Sequence, residues 1–239
     1  MKNSAVKACL YLVFPCLSVL NVSCGKENVF HSSYAISDKE KAQEAISSNN
    51  YDAAISILSD YISSFPNDYS AKSMIANVYL LKGGIHLSEL IVSIQDNINT
   101  SNNDLYLLLN SFPTASTTNI EYINNAITYL NDIPTSELSS DQLYQTALAY
   151  AALAFYTIKL DVLDVSGTIS ISQASSMSIT DCDTIYNSLV AVQSKLNQIG
   201  ITAGSSSGSG IILSTINGIT STSGASNSAK LISYLISNS

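Results

Sequence analysis

Residues 49–68, NNYDAAISILSDYISSFPND, decide how the chain is read. Tyr51, Ala54, Ile55, Leu58 and Ile62 recur at the spacing that places apolar side chains on one face of an α-helix. Proline cannot continue a helix, so this segment predicts a helix that ends before Pro66. Upstream, Ser37-Asp38-Lys39-Glu40 is a capping box. The Ser37 hydroxyl accepts from the Glu40 amide while the Glu40 carboxylate reaches back to the Ser37 amide. A helix starts there, carrying Ala42, Ala45 and Ile46 on one face, and Asn49-Asn50 interrupts it. Two short helices across a tight polar turn make a helical hairpin.

The segment AKSMIANVYLLKGG (71–84) begins 34 residues after Ser37. At this point the chain resembles the tetratricopeptide repeat family, a 34-residue helix-turn-helix with small residues at the helix crossings and a proline near its end. Tyr51, Ala54, Leu58 and Pro66 match the family's second helix and closing proline. Ile75, Ala76 and Tyr79 match its first-helix Leu, Gly/Ala and Tyr, with Gly83-Gly84 at the turn between helices. Ser88 departs from the usual second-helix alanine, and Lys41 and Ala45 depart from the first-helix Leu and Tyr. The resemblance implies an all-α chain of stacked antiparallel helical hairpins, a TPR-like α-solenoid whose later repeats are degenerate. It also implies a concave groove lined by the first helix of each unit, displaying Lys39 and Gln43, then Ser73, Asn77 and Leu80. Some family members clamp a peptide's terminal carboxylate with Lys and Asn at such places, and Lys39 with Asn77 resembles half of that clamp. Tyr69 and Tyr79 read as packing residues.

Further along, Thr118-Asn119-Ile120-Glu121 is another capping box, opening a helix with Ile123, Ala126, Ile127 and Leu130 before Pro134. Ser139-Ser140-Asp141-Gln142 opens the next. That helix carries ALAYAALAFYTI (147–158), apolar on all faces except at Thr157. Twelve residues are too few to span a bilayer, and Lys159 and Asp161 follow at once, so a buried central helix is predicted. A further helix runs from a cap at Thr180, supported by Asp183, through Ile185, Leu189, Val192 and Leu196 to Gly200. Cys182 falls in its first turn, where a thiolate is mildly favoured. AGSSSGSG (203–210) reads as a flexible connector. No GK[ST] follows it, so it is not a phosphate loop. IILSTINGI and AKLISYLIS then predict terminal helices, docked on the last hairpin or on another subunit.

The N-terminus has a separate character. Met1 to Lys7 carries two lysines and no acid, and Ala8 to Leu20 is a short apolar run, the pattern of an export signal. Val22-Ser23-Cys24 resembles a bacterial lipobox, with Asn21 where Leu is preferred. The resemblance implies acylation of Cys24, whereas an ordinary cleaved signal would leave Cys24 a bystander thiol. Gly25, not Asp, follows the cysteine, which is compatible with outer-membrane delivery. The organisation expected is a signal peptide (1–23), a lipidated tether (24–36), two TPR-like hairpins (37–100), further hairpins around an Ala-rich helix (101–202), and a Ser/Gly-rich connector with terminal helices (203–239).

Composition narrows the chemistry. The chain carries a formal charge of −8, which becomes −10 once Lys2 and Lys7 leave with the signal. All its basic residues are lysines. An acidic chain without guanidinium groups is poorly suited to nucleic acid, which is excluded as a partner. Cys9 and Cys16 lie in the signal and Cys24 would be acylated, so Cys182 is left without an intrachain disulfide. With only His31 and His86 to assist it, no zinc site of the usual spacing is available. Neither histidine is placed as a general base, and the pairs Asp181/Asp183 and Asp161/Asp164 read as helix-end charges. No enzyme, metal or cofactor is expected. An acylated cysteine joined to such repeats resembles the scaffold lipoprotein of outer-membrane β-barrel assembly and the tetratricopeptide component of tripartite solute transporters. The expected function is a periplasm-facing lipoprotein scaffold binding envelope proteins or peptides, with homo-oligomerisation open. The alternatives are a small-ligand-binding component of a solute transporter and a purely structural envelope lipoprotein.

Overall fold

The computed structural model describes residues 36–98, 103–202 and 208–239. The signal-like segment, His31 and the acylation candidate Cys24 lie outside the described residues. Among the described residues the chain is all-α. Its helices are α1 (Asp38–Ser47), α2 (Tyr51–Ser64), α3 (Tyr69–Lys82), α4 (Leu87–Ile98), α5 (Asp104–Ser111), α6 (Thr117–Asn131), α7 (Ser140–Val162), α8 (Ile171–Ser176), α9 (Ile179–Gln198), α10 (Gly208–Ser221) and α11 (Asn227–Ser237). None of these alone is long and apolar enough to cross a membrane.

Local chemistry builds the first hairpin as the sequence predicts. Both bonds of the Ser37/Glu40 capping box are formed. Asn49 ends α1 in the left-handed conformation at φ 57°, and the Asn50 amide returns to the Ala45 carbonyl at 2.8 Å, a Schellman-type closure. The Asn50 side chain then caps α2. Two adjacent asparagines thus stop one helix and start the next. Asp68 caps α3 through the Ala71 amide at 3.0 Å, and its other carboxylate oxygen accepts from Lys39 Nζ and Tyr61 Oη, each at 2.9 Å. One carboxylate joins α1, α2 and α3. Burial opposes its ionisation, but the bonds from Lys39, the Ala71 amide and Tyr61 together hold it below the usual carboxylate range.

Beyond α3 the order of packing departs from the order of the chain. Helices α1, α2, α3, α6, α7 and α9 form a row, each packed on the next, while α4 packs on α5 and α10. The second hairpin is therefore α3 with α6, and not α3 with the helix that follows Gly83-Gly84, as the repeat spacing implies. The cause lies at that glycine pair. Gly84 has φ +85°, and the amides of Gly84 and Ile85 return to the carbonyls of Leu81 and Leu80 at 3.0 and 2.9 Å. This Schellman closure leaves the Gly83 carbonyl available, and it accepts from Asn119 Nδ2 of α6 at 2.8 Å and Tyr156 Oη of α7 at 2.9 Å. A methyl group on Gly83 would sit 2.8 Å from Ile123 Cδ1 of α6. The glycines let two later helices press against the end of α3, and α4 is displaced outward.

Helix α7 is the buried centre. Its capping box at Ser139 and Gln142 is formed, and every residue from Ala151 to Ile158 is buried. Ala147, Ala151, Ala152 and Ala154 give α6 and α9 room to approach, while Phe155 and Tyr156 pack on Phe112 with ring centroids 4.9 and 6.4 Å apart. A smaller apolar cluster fills the space between α1, α2 and α3 around Ala54, Leu58, Ile75 and Val78. Tyr79, packed on Tyr129 at 5.9 Å, borders both clusters.

Several expected boundaries shift. The cap of α6 is Ser116, not Thr118, and that of α9 is Ser178, not Thr180. Gly208 to Gly210 belong to α10, not to a connector, and residues 203–207 lie outside the described residues. The terminal helices dock on α9, α10 also reaches the α4–α5 excursion, and Asn103 Nδ2 at the start of α5 donates to Asn238 Oδ1 at the end of α11 at 3.0 Å.

Gly84→Ala should lower stability by about 1–2 kcal/mol, because a Cβ is strained in the left-handed region. Gly84→Asn should cost less, since asparagine adopts this conformation at position 49. Thermal denaturation of the three chains checks this, each kcal/mol amounting to roughly 2–4 °C in Tm; equal Tm values would contradict it.

Candidate binding groove

The helices that open successive pairs of the row, α1, α3 and α7, border a cleft of about 500 Å³. Helix α3 supplies Ser70, Ser73, Met74, Asn77 and Leu80, α1 supplies Gln43, and α7 supplies Asp141, Tyr144, Gln145 and Leu148. Ile85 and Leu87 close one end. These positions follow helical spacing, so one face of each helix meets the cleft.

Of the five groove residues that the repeat resemblance implies, Gln43, Ser73, Asn77 and Leu80 line this cleft together. Lys39 does not. Its ammonium is held by Asp68, whose hydrogen bond raises the lysine above its ordinary pKa, and it lies 5.7 Å from the centre of the Tyr61 ring. The half-clamp of Lys39 with Asn77 is therefore not assembled, because the carboxylate that caps α3 captures the lysine first. Asn77 and Gln43 are exposed, while Leu80 is buried.

The wall formed by α7 went unread in the sequence. Asp141, Tyr144, Gln145 and Leu148 share one stripe of a helix whose apolar run draws attention to burial alone, although their three- and four-residue spacing is a visible signal. Two glutamines fasten this wall to α3. Gln145 Nε2 donates to the Ser73 carbonyl at 3.0 Å and its Oε1 accepts from the Ser73 hydroxyl at 2.6 Å. Gln142 Nε2 donates to the Tyr69 carbonyl at 3.2 Å. Lys72, buried on the adjoining face of α3, pairs with Asp132 at the end of α6. Burial raises the Tyr144 phenol above its usual range.

A second cleft of about 430 Å³ lies between α4, the end of α5 and α7, and contains His86, Glu89 and Lys159. Lys159 Nζ donates to the carbonyls of Leu109, Phe112 and Pro113 at 3.0, 2.7 and 3.1 Å. All three of its protons are thus engaged at the C-terminus of α5, where a cation is electrostatically favoured, and burial lowers its pKa. This lysine closes a helix end and is not poised as a nucleophile or base.

Asp164 of the acid pairs serves local structure. Asp164 accepts from the amides of Ser166 and Thr168 and from both of their hydroxyls, which draws its pKa down to about 2. Cys182 is buried, and burial followed by the charges of Asp181, Asp183 and Asp161 raises its pKa. A thiolate is disfavoured there, contrary to the helix-start expectation, because burial and then the three carboxylates outweigh what favours it. Among the described residues no cluster of metal-ligating side chains is present. No family model matches the chain, and comparison with curated proteins and with solved structures finds no match.

Asp161 carries one buried oxygen without a hydrogen-bond partner, and burial, then the charge of Asp181, raises its pKa. A folded-state pKa above the unfolded value means that ionised Asp161 opposes folding. The penalty is absent below the unfolded value near pH 4 and grows as pH rises through the folded value. Asp161→Asn should therefore raise Tm at pH 7, with the gain vanishing towards roughly pH 4. Melting curves across that interval check the sign; a gain that grows in acid would refute it.

Proposed function

We propose that this chain is a lipid-anchored envelope lipoprotein whose helical row works as a TPR-like scaffold, holding an extended segment of a partner protein in the cleft along α1, α3 and α7. The observation that carries the reading is the convergence of Gln43, Ser73, Asn77 and Leu80 on that one cleft. Stacked hairpins of this kind present the first helix of each pair on a shared face, and a strip of amides beside apolar side chains suits a peptide main chain with intermittent apolar residues. The partner is an envelope protein or peptide, and the role is non-enzymatic. The anchor rests on the lipobox-like Val22-Ser23-Cys24, and outer-membrane placement on Gly25.

A photocrosslinking residue placed at Asn77 should trap a discrete partner in cells that make the protein, and the same residue at Asp60, exposed on α2, should not. Identical adducts from both positions, or none from position 77, would reject the groove. Feeding cells a labelled fatty acid should mark the native chain but not Cys24→Ala, and equal labelling would remove the anchor.

A further inference from the structure

Building on the groove reading, we infer that the bound segment is cationic: an extended peptide that sets a lysine, an arginine or a free amino terminus against Asp141. Among the described residues the lining carries a single charged side chain, Asp141, beside amides, hydroxyls and apolar groups. Asp141 is exposed at the mouth of the α7 wall, and among the described residues no lysine shares the cleft with it.

The nearby cations are committed elsewhere. Lys39 is bound to Asp68, Lys41 to Asp38, Lys72 to Asp132 and Lys82 to Asp52. None can swing into the cleft without giving up its carboxylate. A peptide ending in a carboxylate would meet one negative charge and no positive one, so the polarity is opposite to that of a carboxylate clamp. The chain's net charge of −8 adds a long-range field of the same sign, which speeds the approach of a cationic segment. Specificity then divides in three. Asn77 and Gln43 offer both donors and acceptors to the peptide main chain, Met74 and Leu148 take its apolar side chains, and Asp141 selects the charge.

The test uses matched extended peptides, blocked at both ends, with one shared pattern of alternating valine and serine and a single variable position holding lysine, glutamine or glutamate. Binding to the full chain is read by fluorescence anisotropy. The lysine peptide should bind roughly fivefold tighter than the glutamine peptide, as expected for one exposed ion pair, and the glutamate peptide should bind more weakly still. The preference should shrink as salt is added. Asp141→Asn should equalise the lysine and glutamine peptides. Asn77→Lys, which puts a cation into the cleft, should favour glutamate over lysine. Equal affinity for all three peptides, or a preference that survives both substitutions, overturns the inference. In that event Ser70→Trp, which fills the mouth of the cleft, tells the two failures apart. If it abolishes peptide binding the groove reading stands, and if binding is unaffected the groove reading falls as well. Binding of none of the peptides overturns the inference, with crosslinking at position 77 deciding separately on the groove.

Discussion

The carbonyl of Gly83 accepts hydrogen bonds from two helices that lie 36 and 73 residues further along the chain, and the arrangement of everything after α3 depends on it. A helix end normally leaves its last carbonyls to water or to a cap. Here the Schellman closure through Gly84 and Ile85 folds the chain away, and the glycines carry no side chain to hold α6 and α7 off. Tyr156 is wholly buried, so its hydroxyl must find an acceptor or cost about 1–3 kcal/mol. Burial pushes that phenol up to about 12, consistent with a neutral group that donates. Once α6 occupies the flank of α3, the helix that follows in sequence has no place in the row. It leaves as an excursion with α5, and α10 covers it.

That displacement also makes the groove. Had α4 packed on α3 as a simple repeat would have it, its own length would separate α3 from later helices. Instead α6 fills the second-helix position, and α7, coming straight after it, lies beside α3 as the first helix of a third pair. The same Ile85 that completes the closure, with its carbonyl partner Leu80, then lines the cleft. One backbone device thus terminates α3, diverts α4 and floors the site.

The sequence was legible wherever the deciding chemistry is local. Ser37 and Ser139 each cap a helix through atoms three residues away, and the apolar stripes of α2, α6 and α9 follow from spacing alone. Reading failed where two local solutions compete. Ser116 and Thr118 can both cap α6. Ser116 prevails, and Asn119 three residues on donates from its side chain to Gly83, a contact with no trace in sequence. Ser178 and Thr180 present the same choice. The pairing of α3 with α6 was hidden for a related reason, since α4, LSELIVSIQDNI, has an apolar stripe as good as that of α6 and periodicity does not say which stripe meets which. At the site, four groove positions followed from the repeat resemblance. Lys39 did not, because a family position fixes where a Cα lies and not which carboxylate its ammonium meets.

The fastening of α7 to α3 gives a cleft with little charge a fixed shape. Gln142 and Gln145 spend their amides on the backbone of Tyr69 and Ser73, so the wall is set before any partner arrives and little conformational freedom is lost in closing it. A charged tie across the same gap would demand desolvation of two ions and would weaken with salt, whereas neutral amides make directional bonds indifferent to ionic strength. The chain, with only 12% charged residues, uses amides for shape at the cleft, while Lys39, Lys41, Lys72 and Lys82 are paired with carboxylates elsewhere. Among the described residues, a single carboxylate, Asp141, is then unopposed by any lysine in the lining, and under the proposed reading it is the group that sets the charge preference.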